Sequence, residues 1–202
     1  MSLRLVLASW WTPKRVLAEM LGRVEKMTVA ALDGLLEKHS PDALAAIRGA
    51  ERATEGGFLA RRAAMASAHN ARVSALVEAL GREKAISQGR EALFPVGVML
   101  GKEARDRLGL VDGPRDLQRA ARILYRALGI DFTLEKLADG GMMMRVHRCA
   151  LAGYYTAGSC AVLSAADEGV VRGLNPVFTM RFEQRMTDGP RECLARIWEE
   201  KR

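Results

Sequence analysis

Residues 131–149 read DFTLEKLADGGMMMRVHRC, and the hydrophobic pattern of the chain changes within them. Two strand-like runs, 131–137 and 142–149, are separated by Ala138-Asp139-Gly140-Gly141. An Asp-Gly pair between two such runs is typical of a β-hairpin, because glycine readily adopts the positive φ that a tight turn requires. The stretch therefore predicts two antiparallel strands joined by a short turn.

The residues before this hairpin have the three-to-four-residue apolar spacing of amphipathic helices. Glycine and proline divide them, and helices are predicted at 13–38, from Ser40 to a break at Gly56-Gly57, and at 58–80, 82–108 and 114–128. Pro95 lies inside the fourth of these helices. Because proline removes a backbone hydrogen bond, we expect a kink or break around Phe94-Pro95.

A helix and a second hairpin are predicted after the first hairpin. Residues 159–172 return to helical spacing, with Ser159 as the candidate N-cap. Two further strand-like runs, 177–186 and 193–198, are joined around Asp188-Gly189-Pro190. Helices followed by hairpins indicate an α+β fold, here N-terminal helices and then an antiparallel sheet in the order β-hairpin, helix, β-hairpin. We expect a helical extension over 1–80 and an α+β domain over 81–202.

The composition is that of a globular protein of 202 residues, 49% hydrophobic and 27% charged, with a formal net charge of +7. No run of about 20 apolar residues predicts a transmembrane helix, so no membrane partner is expected. Leu3 to Trp11 is too short for a secretory signal, and we expect it to pack onto the domain. With three cysteines and no export signal, reduced thiols in a cytoplasmic protein are expected. Homodimerisation is left open.

Four arginines form one stripe on the helix predicted over 114–128. They are spaced by four, three and four residues: Arg115, Arg119, Arg122 and Arg126. Such a stripe could hold a carboxylate, a phosphate or nucleic acid. Because no aromatic residues or nucleic-acid motif accompany it, a solvated helix face is favoured and nucleic acid is not expected as a partner.

Histidine and cysteine are concentrated in the last third of the chain. His147 and Cys149 are two residues apart in a predicted strand, so we expect them on the same face. Cys160 falls in the first turn of the next helix, where backbone N–H groups favour a thiolate. Ser164 and Asp167 follow Cys160 on one stripe of that helix.

These residues allow three interpretations. Cys193 begins the last strand, and together with His147, Cys149 and Cys160 it could form a tetrahedral metal site for zinc or iron. Alternatively, Cys160 is a nucleophile, with His147 or Asp167 transferring protons. The cysteines could also be small buried hydrophobic residues. The run Met142-Met143-Met144 is interpreted mainly as core, although methionines also line adaptable ligand pockets.

The C-terminal part resembles the L-2-amino-thiazoline-4-carboxylic acid hydrolase family over roughly residues 80–200. Five short segments carry the resemblance: Val146-His-Arg-Cys149, Gly158-Ser-Cys160, Asp167-Glu168, Gly173-Leu-Asn-Pro176, and Asp188-Gly189 shortly before Cys193. The arrangement is also similar to 4-vinyl-reductase-type small-molecule-binding domains, which have a pocket between helices and a sheet.

The resemblance implies hydrolytic ring opening of a small thiazoline-type carboxylate. Water or a thiolate would attack the ring carbon between nitrogen and sulfur, and an acid would protonate the leaving nitrogen. The implied site contains Cys149, Cys193 and the catalytic candidates Cys160 and Asp167, with Ser164, Met143 and Arg122 as expected substrate contacts. The alternatives are a non-catalytic domain that senses a small molecule or a metal, and an interaction module that uses the basic helices.

Overall fold

The computed structural model describes residues 11–52, 56–110 and 113–200. Within them, five α-helices precede a four-stranded sheet and a sixth lies between its second and third strands. The elements are α1 Lys14–His39, α2 Pro41–Ala50, α3 Phe58–Leu80, α4 Arg82–Leu108, α5 Pro114–Leu128, β1 Ile130–Lys136, β2 Met142–Cys149, α6 Ala157–Leu174, β3 Phe178–Gln184, a 3₁₀ turn Met186–Asp188, and β4 Cys193–Glu199. The predicted α+β class is confirmed.

Glycines end helices where the sequence predicted them to end. Gly109 directly follows α4 and Gly129 directly follows α5. Both adopt left-handed conformations, with φ of 61° and 72°. Glycine is favoured there because it has no Cβ to clash with the preceding turn. By contrast, α2 ends at Ala50, before the predicted break at Gly56-Gly57.

Of the kink or break expected around Phe94-Pro95, the break does not occur, because α4 continues from Arg82 to Leu108 through the proline. Pro95 lies on the exposed side of the helix. The carbonyl of Glu91, which loses its amide partner at Pro95, can therefore be hydrated at little cost.

The sheet has the order β1-β2-β4-β3, and all its neighbouring strands are antiparallel. Both predicted hairpins form, and pairing of β2 with β4 joins them. One face of the sheet is covered by α5 and α6, and its buried side chains are apolar: Met142, Met144, Val146, Met180, Ala195 and Ile197. The opposite face carries the charged side chains of Arg145, Arg181 and Arg196 beside the apolar Met143, Leu194 and Trp198.

Helices α4 and α6 pack in backbone contact because glycines face each other across their interface. A Cβ on Gly97 would lie 2.0 Å from the carbonyl oxygen of Ala166, and one on Gly169 would lie 2.2 Å from that of Phe94. No residue larger than glycine fits at such separations. This close packing fixes the position of α6, which carries Cys160 and Asp167.

The N-terminal helices share a hydrophobic core with the rest of the chain. Leu32 and Leu36 of α1 and Leu76 of α3 belong to one buried cluster with Val162 and Leu163 of α6. No described helix is long and apolar enough to cross a membrane. The segment Leu3 to Trp11, expected to pack onto the domain, lies outside the described residues except for Trp11, which is 73% exposed.

Candidate functional site

A cavity of about 90 Å³ lies between the helices and the covered face of the sheet. Helices α1, α3, α5 and α6 form its walls together with strands β1–β4 and the segments after β2 and β3. Most of its lining is apolar. The polar, thiol and charged side chains that line it are Thr28, His69, Tyr125, Cys149, Tyr155, Cys160, Ser164, Asp167, Arg185 and Cys193.

All three thiols line this cavity. Cys149 is the last residue of β2, Cys193 is the first of β4, and pairing of these strands places Cys193 opposite Val146. Cys160 reaches the cavity from the first turn of α6. The sheet and the helix that crosses it therefore bring together three residues that are far apart in sequence.

His147 does not join the thiols, and the expectation that it shares a face with Cys149 is wrong. Pairing runs from Asp131–Arg148 directly to Phe132–Val146, so His147 is the extra residue of a β-bulge. A bulge shifts the alternation of the strand by one residue, which turns Cys149 inward with Val146 and leaves His147 outside. There its imidazole contacts Thr133 at 2.9 Å and Glu192 at 2.9 Å.

Of the three interpretations, the zinc or iron site of His147, Cys149, Cys160 and Cys193 is not supported by the arrangement of the described residues. Within residues 11–52, 56–110 and 113–200, no group of three or more His, Cys, Asp or Glu side chains is arranged to hold a metal ion. Tetrahedral thiolate sites need all ligands to converge on one point, and here the histidine lies on the opposite face of the sheet.

The Cys160 thiol is not activated by its helix. Burial raises the pKa of Cys160 to about 11, although Thr187 and Arg185 lower it. The helix begins at Ala157 and its N-cap is Thr156, which accepts from the Ser159 N–H at 3.1 Å; Ser159 itself is not the cap. The N–H of Cys160 is already bonded to the Thr156 carbonyl, so burial outweighs the helix end.

Asp167 is the carboxyl group of the cavity. Burial raises the pKa of Asp167 to about 7, a hydrogen bond from the Tyr125 hydroxyl lowers it, and the charge of Glu168 raises it. Glu168 itself points elsewhere, since it pairs with Arg90 at 2.6 Å and accepts from the Phe182 N–H. Asp167 can therefore both donate and accept a proton near neutral pH.

Arg185 supplies a positive charge to the cavity. It follows β3, and its Nε donates to Ser164 Oγ at 3.2 Å while its guanidinium lies 5.7 Å from the centroid of the Phe182 ring. Ser164 also accepts from Arg90 at 3.0 Å and donates to the Ala161 carbonyl. The recorded bond to Ser164 uses Nε, and the two terminal nitrogens of a guanidinium are the donors that bind a carboxylate.

Two of the three expected substrate contacts lie away from the cavity. Ser164 lines it, whereas Arg122 is exposed on α5 and Met143 is half-buried on the outer face of β2. Strand alternation explains Met143, because its neighbours Met142 and Met144 take the core face. The prediction that the arginine stripe is solvated is confirmed: Arg115, Arg122 and Arg126 are exposed, and Arg119 pairs with Asp116 at 3.7 Å.

A hydrogen-bonded chain from the N-terminal helices was not foreseen. Thr28 Oγ1 of α1 lies 2.8 Å from Nε2 of His69, and Nδ1 of His69 lies 2.8 Å from the Tyr155 hydroxyl. Burial, and then the charge of Arg72, lowers the pKa of His69 to about 3, so its ring is neutral. A lone His or Tyr has no periodic signal, because its role depends on contacts between distant helices.

Comparison with solved structures supports the fold. Trafficking protein particle complex subunit 3 from Naegleria fowleri, solved covalently bound to palmitic acid, has a TM-score of 0.56 and 12% identity, over 69% of this chain and 95% of that chain. An H-NOX protein from S. oneidensis, solved in the Fe(II)NO ligation state, gives 0.46 at 13% identity, over 90% of this chain and 98% of that one. The first of these likenesses shows a shared fold.

Comparison with sequences gives the family. No curated protein sequence matches the chain. The family model for L-2-amino-thiazoline-4-carboxylic acid hydrolase matches residues 61–197, which include the first hairpin, α6, all of the second hairpin but the last two residues of β4, and every cavity residue except those on α1. The chain therefore belongs to the L-2-amino-thiazoline-4-carboxylic acid hydrolase family.

Proposed function

We propose that the cavity catalyses hydrolytic ring opening of a small thiazoline-type carboxylate. One observation carries the proposal: Asp167, whose pKa is about 7, and the cationic Arg185 line the same largely apolar cavity. Ring opening of a cyclic amidine needs a proton donor for the nitrogen, and a carboxylate substrate needs a cation to hold it. Membership of the family supports the same reaction.

The size and polarity of the cavity limit the ligand to one small ring. Its volume of about 90 Å³ is smaller than the roughly 150 Å³ that encloses benzene in an engineered cavity of another protein, so a thiazoline ring needs some outward movement of the lining. A thiazoline ring would occupy the interior, and its carboxylate would extend to the half-buried Arg185. Arginine binds carboxylates through two parallel hydrogen bonds, which would orient the ring with respect to Asp167.

Asp167 transfers the protons in this reaction. Its protonated form donates to the ring nitrogen, which makes the carbon between nitrogen and sulfur more electrophilic. Water adds to that carbon and leaves a proton on Asp167, and the carbon–nitrogen bond then breaks as this proton reaches the leaving nitrogen. As the new hydroxyl group becomes the carbonyl, it passes its remaining proton back to Asp167. One water is therefore consumed, its oxygen becomes the carbonyl oxygen, and Asp167 ends in its starting protonation state.

Water rather than Cys160 is the nucleophile in this scheme. A thiol whose pKa is about 11 is almost entirely protonated at neutral pH, and the thiolate is the reactive form. Burial likewise raises the pKa of Cys149 and of Cys193, and the charge of Asp167 raises both further. The thiols would contact the ring and exclude bulk water from it.

The test is turnover of L-2-amino-thiazoline-4-carboxylate by the purified protein, followed by mass spectrometry of the ring-opened product. We expect turnover that Asp167→Asn lowers at least about 100-fold, the usual contribution of a general acid–base group. Arg122→Gln is the matched control, since Arg122 is exposed on α5, and it should retain wild-type activity. No ring opening by the wild-type protein, with correct folding shown by circular dichroism, would exclude this function.

A second candidate is a non-catalytic small-molecule-binding domain. The observation that favours it is that burial raises the pKa of every thiol in the cavity, as expected for a site that binds without reacting. In that case L-2-amino-thiazoline-4-carboxylate would bind in a fixed molar ratio to the protein and would be recovered chemically unchanged. Turnover and binding are measured on the same sample, so the two candidates give different results.

A further inference from the structure

We propose that the Tyr155 hydroxyl, held by His69 and Thr28, presents only a hydrogen-bond acceptor to the cavity and thereby selects ligands with an N–H donor on the ring. The inference rests on the proposed function and specifies its substrate class: carboxylates whose ring carries an amino or amidine N–H. Tyr155 is the residue that contacts the ligand. His69 and Thr28 are positioning residues that act through it.

The direction of the chain is set at Thr28. Its hydroxyl has one hydrogen, and this hydrogen is donated to the Val24 carbonyl at 2.8 Å, with the Glu25 carbonyl at 3.2 Å as a second acceptor in the same turn. We assign the hydrogen of Thr28 to these backbone carbonyls, so Thr28 Oγ1 accepts in its contact with His69, 2.8 Å away. Acceptance by Thr28 requires that Nε2 of His69 carries a hydrogen.

The tautomer of His69 follows from this contact. The ring is buried, with 1% of its surface exposed, and the cationic Arg72 lies on the same helix. A neutral imidazole has one N–H and one acceptor nitrogen. With the hydrogen on Nε2, Nδ1 accepts, and the Tyr155 hydroxyl 2.8 Å away must be the donor.

The hydrogen of Tyr155 is thus committed to His69, and only oxygen lone pairs face the cavity. Among the described residues, the Tyr155 oxygen forms no other hydrogen bond that the structure records. Tyr155 lines the same cavity as Asp167, Cys160 and Cys149. A ligand N–H would satisfy this buried acceptor, whereas a methyl group would leave it unpaired.

Thr28 precedes residues 61–197, the part of the chain that the family model matches. Helix α1 therefore contributes to the selectivity of a site whose other polar groups lie within the matched part. This gives the N-terminal helices a role beyond packing: they fix which atom of His69 is protonated.

The first experiment reads the tautomer directly and needs no ligand. In protein with ¹⁵N-labelled histidine, long-range ¹H–¹⁵N spectra distinguish the two tautomers, and the chain has only three histidines to assign. We expect the Nε2–H form for His69 in the wild type and in Thr28→Ser. In Thr28→Val the acceptor is lost, so the Nδ1–H form should dominate, with the Tyr155 hydrogen turned into the cavity. The Nδ1–H form in the wild type would overturn the inference.

The second experiment compares two ligands of the same size. The dissociation constant of L-2-amino-thiazoline-4-carboxylate is measured by calorimetry beside that of its 2-methyl analogue, in which a methyl group replaces the amino group. We expect the wild type to prefer the amino compound by about tenfold or more, one hydrogen bond at a buried acceptor. Tyr155→Phe should reduce that preference to about twofold or less, and Thr28→Val should reduce it as well, while Thr28→Ser keeps it.

The outcomes separate the inference from the proposed function. Equal binding of both compounds by the wild type would overturn the inference and leave the hydrolase proposal intact. Binding of neither compound would overturn both the proposed substrate and the ligand class named here. Selective binding without turnover would support the inference and contradict the hydrolase proposal. If Tyr155→Phe kept the full preference for the amino compound at a native melting temperature, the inference about Tyr155 would be contradicted.

Discussion

The hydroxyl of Tyr125 donates a hydrogen bond to the carboxylate of Asp167 inside the cavity. The two residues come from α5 and α6, which cover the same face of the sheet. Burial pushes the pKa of Asp167 upward and this hydrogen bond opposes the rise, leaving the pKa at about 7. The pair therefore holds a carboxyl group that changes charge in the physiological range.

Asp167 should make the stability of the protein fall as the pH rises from about 4 to about 7. Its folded pKa of about 7 lies above the ordinary value of about 3.9, so over this range the folded state retains a proton that the unfolded chain has lost. Asp167→Asn, which stays neutral, should melt at nearly the wild-type temperature at pH 4. Above pH 4 the variant should become more stable than the wild type. The difference in their free energies of unfolding should grow up to about pH 7 and stay constant at higher pH.

Above pH 7, the free energy of unfolding of Asp167→Asn should exceed that of the wild type by on the order of a few kcal/mol, measured by chemical denaturation at each pH. Asp131→Asn is the matched control, because Asp131 is exposed and pairs with Arg148 on the surface. A constant difference between wild type and Asp167→Asn from pH 4 to pH 8 would show that Asp167 does not titrate near neutrality.

Tyr125→Phe should shift the pH dependence of ring opening to higher pH. The Tyr125 hydroxyl stabilises the ionised form of Asp167, so its removal should raise the pKa of Asp167 further. The limb of the pH–rate profile that reports the titration of Asp167 would move to higher pH, with little change in the maximal rate. Unchanged profiles would mean that another group controls the reaction.

Arg185→Gln should weaken binding of the carboxylate substrate. A bidentate arginine–carboxylate interaction contributes about 1.5–3 kcal/mol, so the Michaelis constant should rise roughly 10- to 100-fold, with a smaller effect on the turnover number. Arg122→Gln on the exposed face of α5 should leave both constants unchanged. Equal effects of the two substitutions would place the carboxylate elsewhere.

Local patterns were sufficient to predict the elements of the fold. The Asp-Gly turn and the strand-like runs around it predicted the first hairpin, and glycines at helix ends predicted the bounds of α4 and α5. These features depend on residues that are adjacent in sequence. A break at Pro95 did not form, because the effect of a proline depends on whether the helix side it occupies is buried or hydrated.

The site was less predictable because its geometry depends on register and on distant helices. One bulge residue in β2 decides that Cys149 faces the cavity and His147 does not, and no local pattern indicates where a bulge will form. Arg185 and His69 reach the cavity from a turn and from α3, without a motif that marks them. Cys160, Ser164 and Asp167 were recognisable, since helical spacing alone places them on one stripe.

Cys160 should react slowly with alkylating agents at neutral pH. With a pKa of about 11, its thiolate fraction should rise about tenfold for each pH unit from 7 to 10. The rate of iodoacetamide labelling, measured in the Cys149→Ala/Cys193→Ala variant, should follow the same slope. Rapid labelling at pH 7 that does not depend on pH would show an activated thiolate and would restore Cys160 as the nucleophile.

Gly97→Ala should strongly destabilise the protein and distort the site together. The added Cβ would lie 2.0 Å from the carbonyl oxygen of Ala166, so α4 and α6 must move apart. Overpacking typically costs about 1–3 kcal/mol, and a contact this short with the backbone should lie at the upper end of that range. Because α6 carries Asp167, substrate binding should weaken even at temperatures where the variant is folded.

The matched control is Gly34→Ala in α1, where a Cβ meets nothing within 4 Å. There alanine should stabilise the helix by about 0.5–1 kcal/mol without affecting binding. If Gly97→Ala melted like Gly34→Ala, the backbone contact between α4 and α6 could not be what fixes the site.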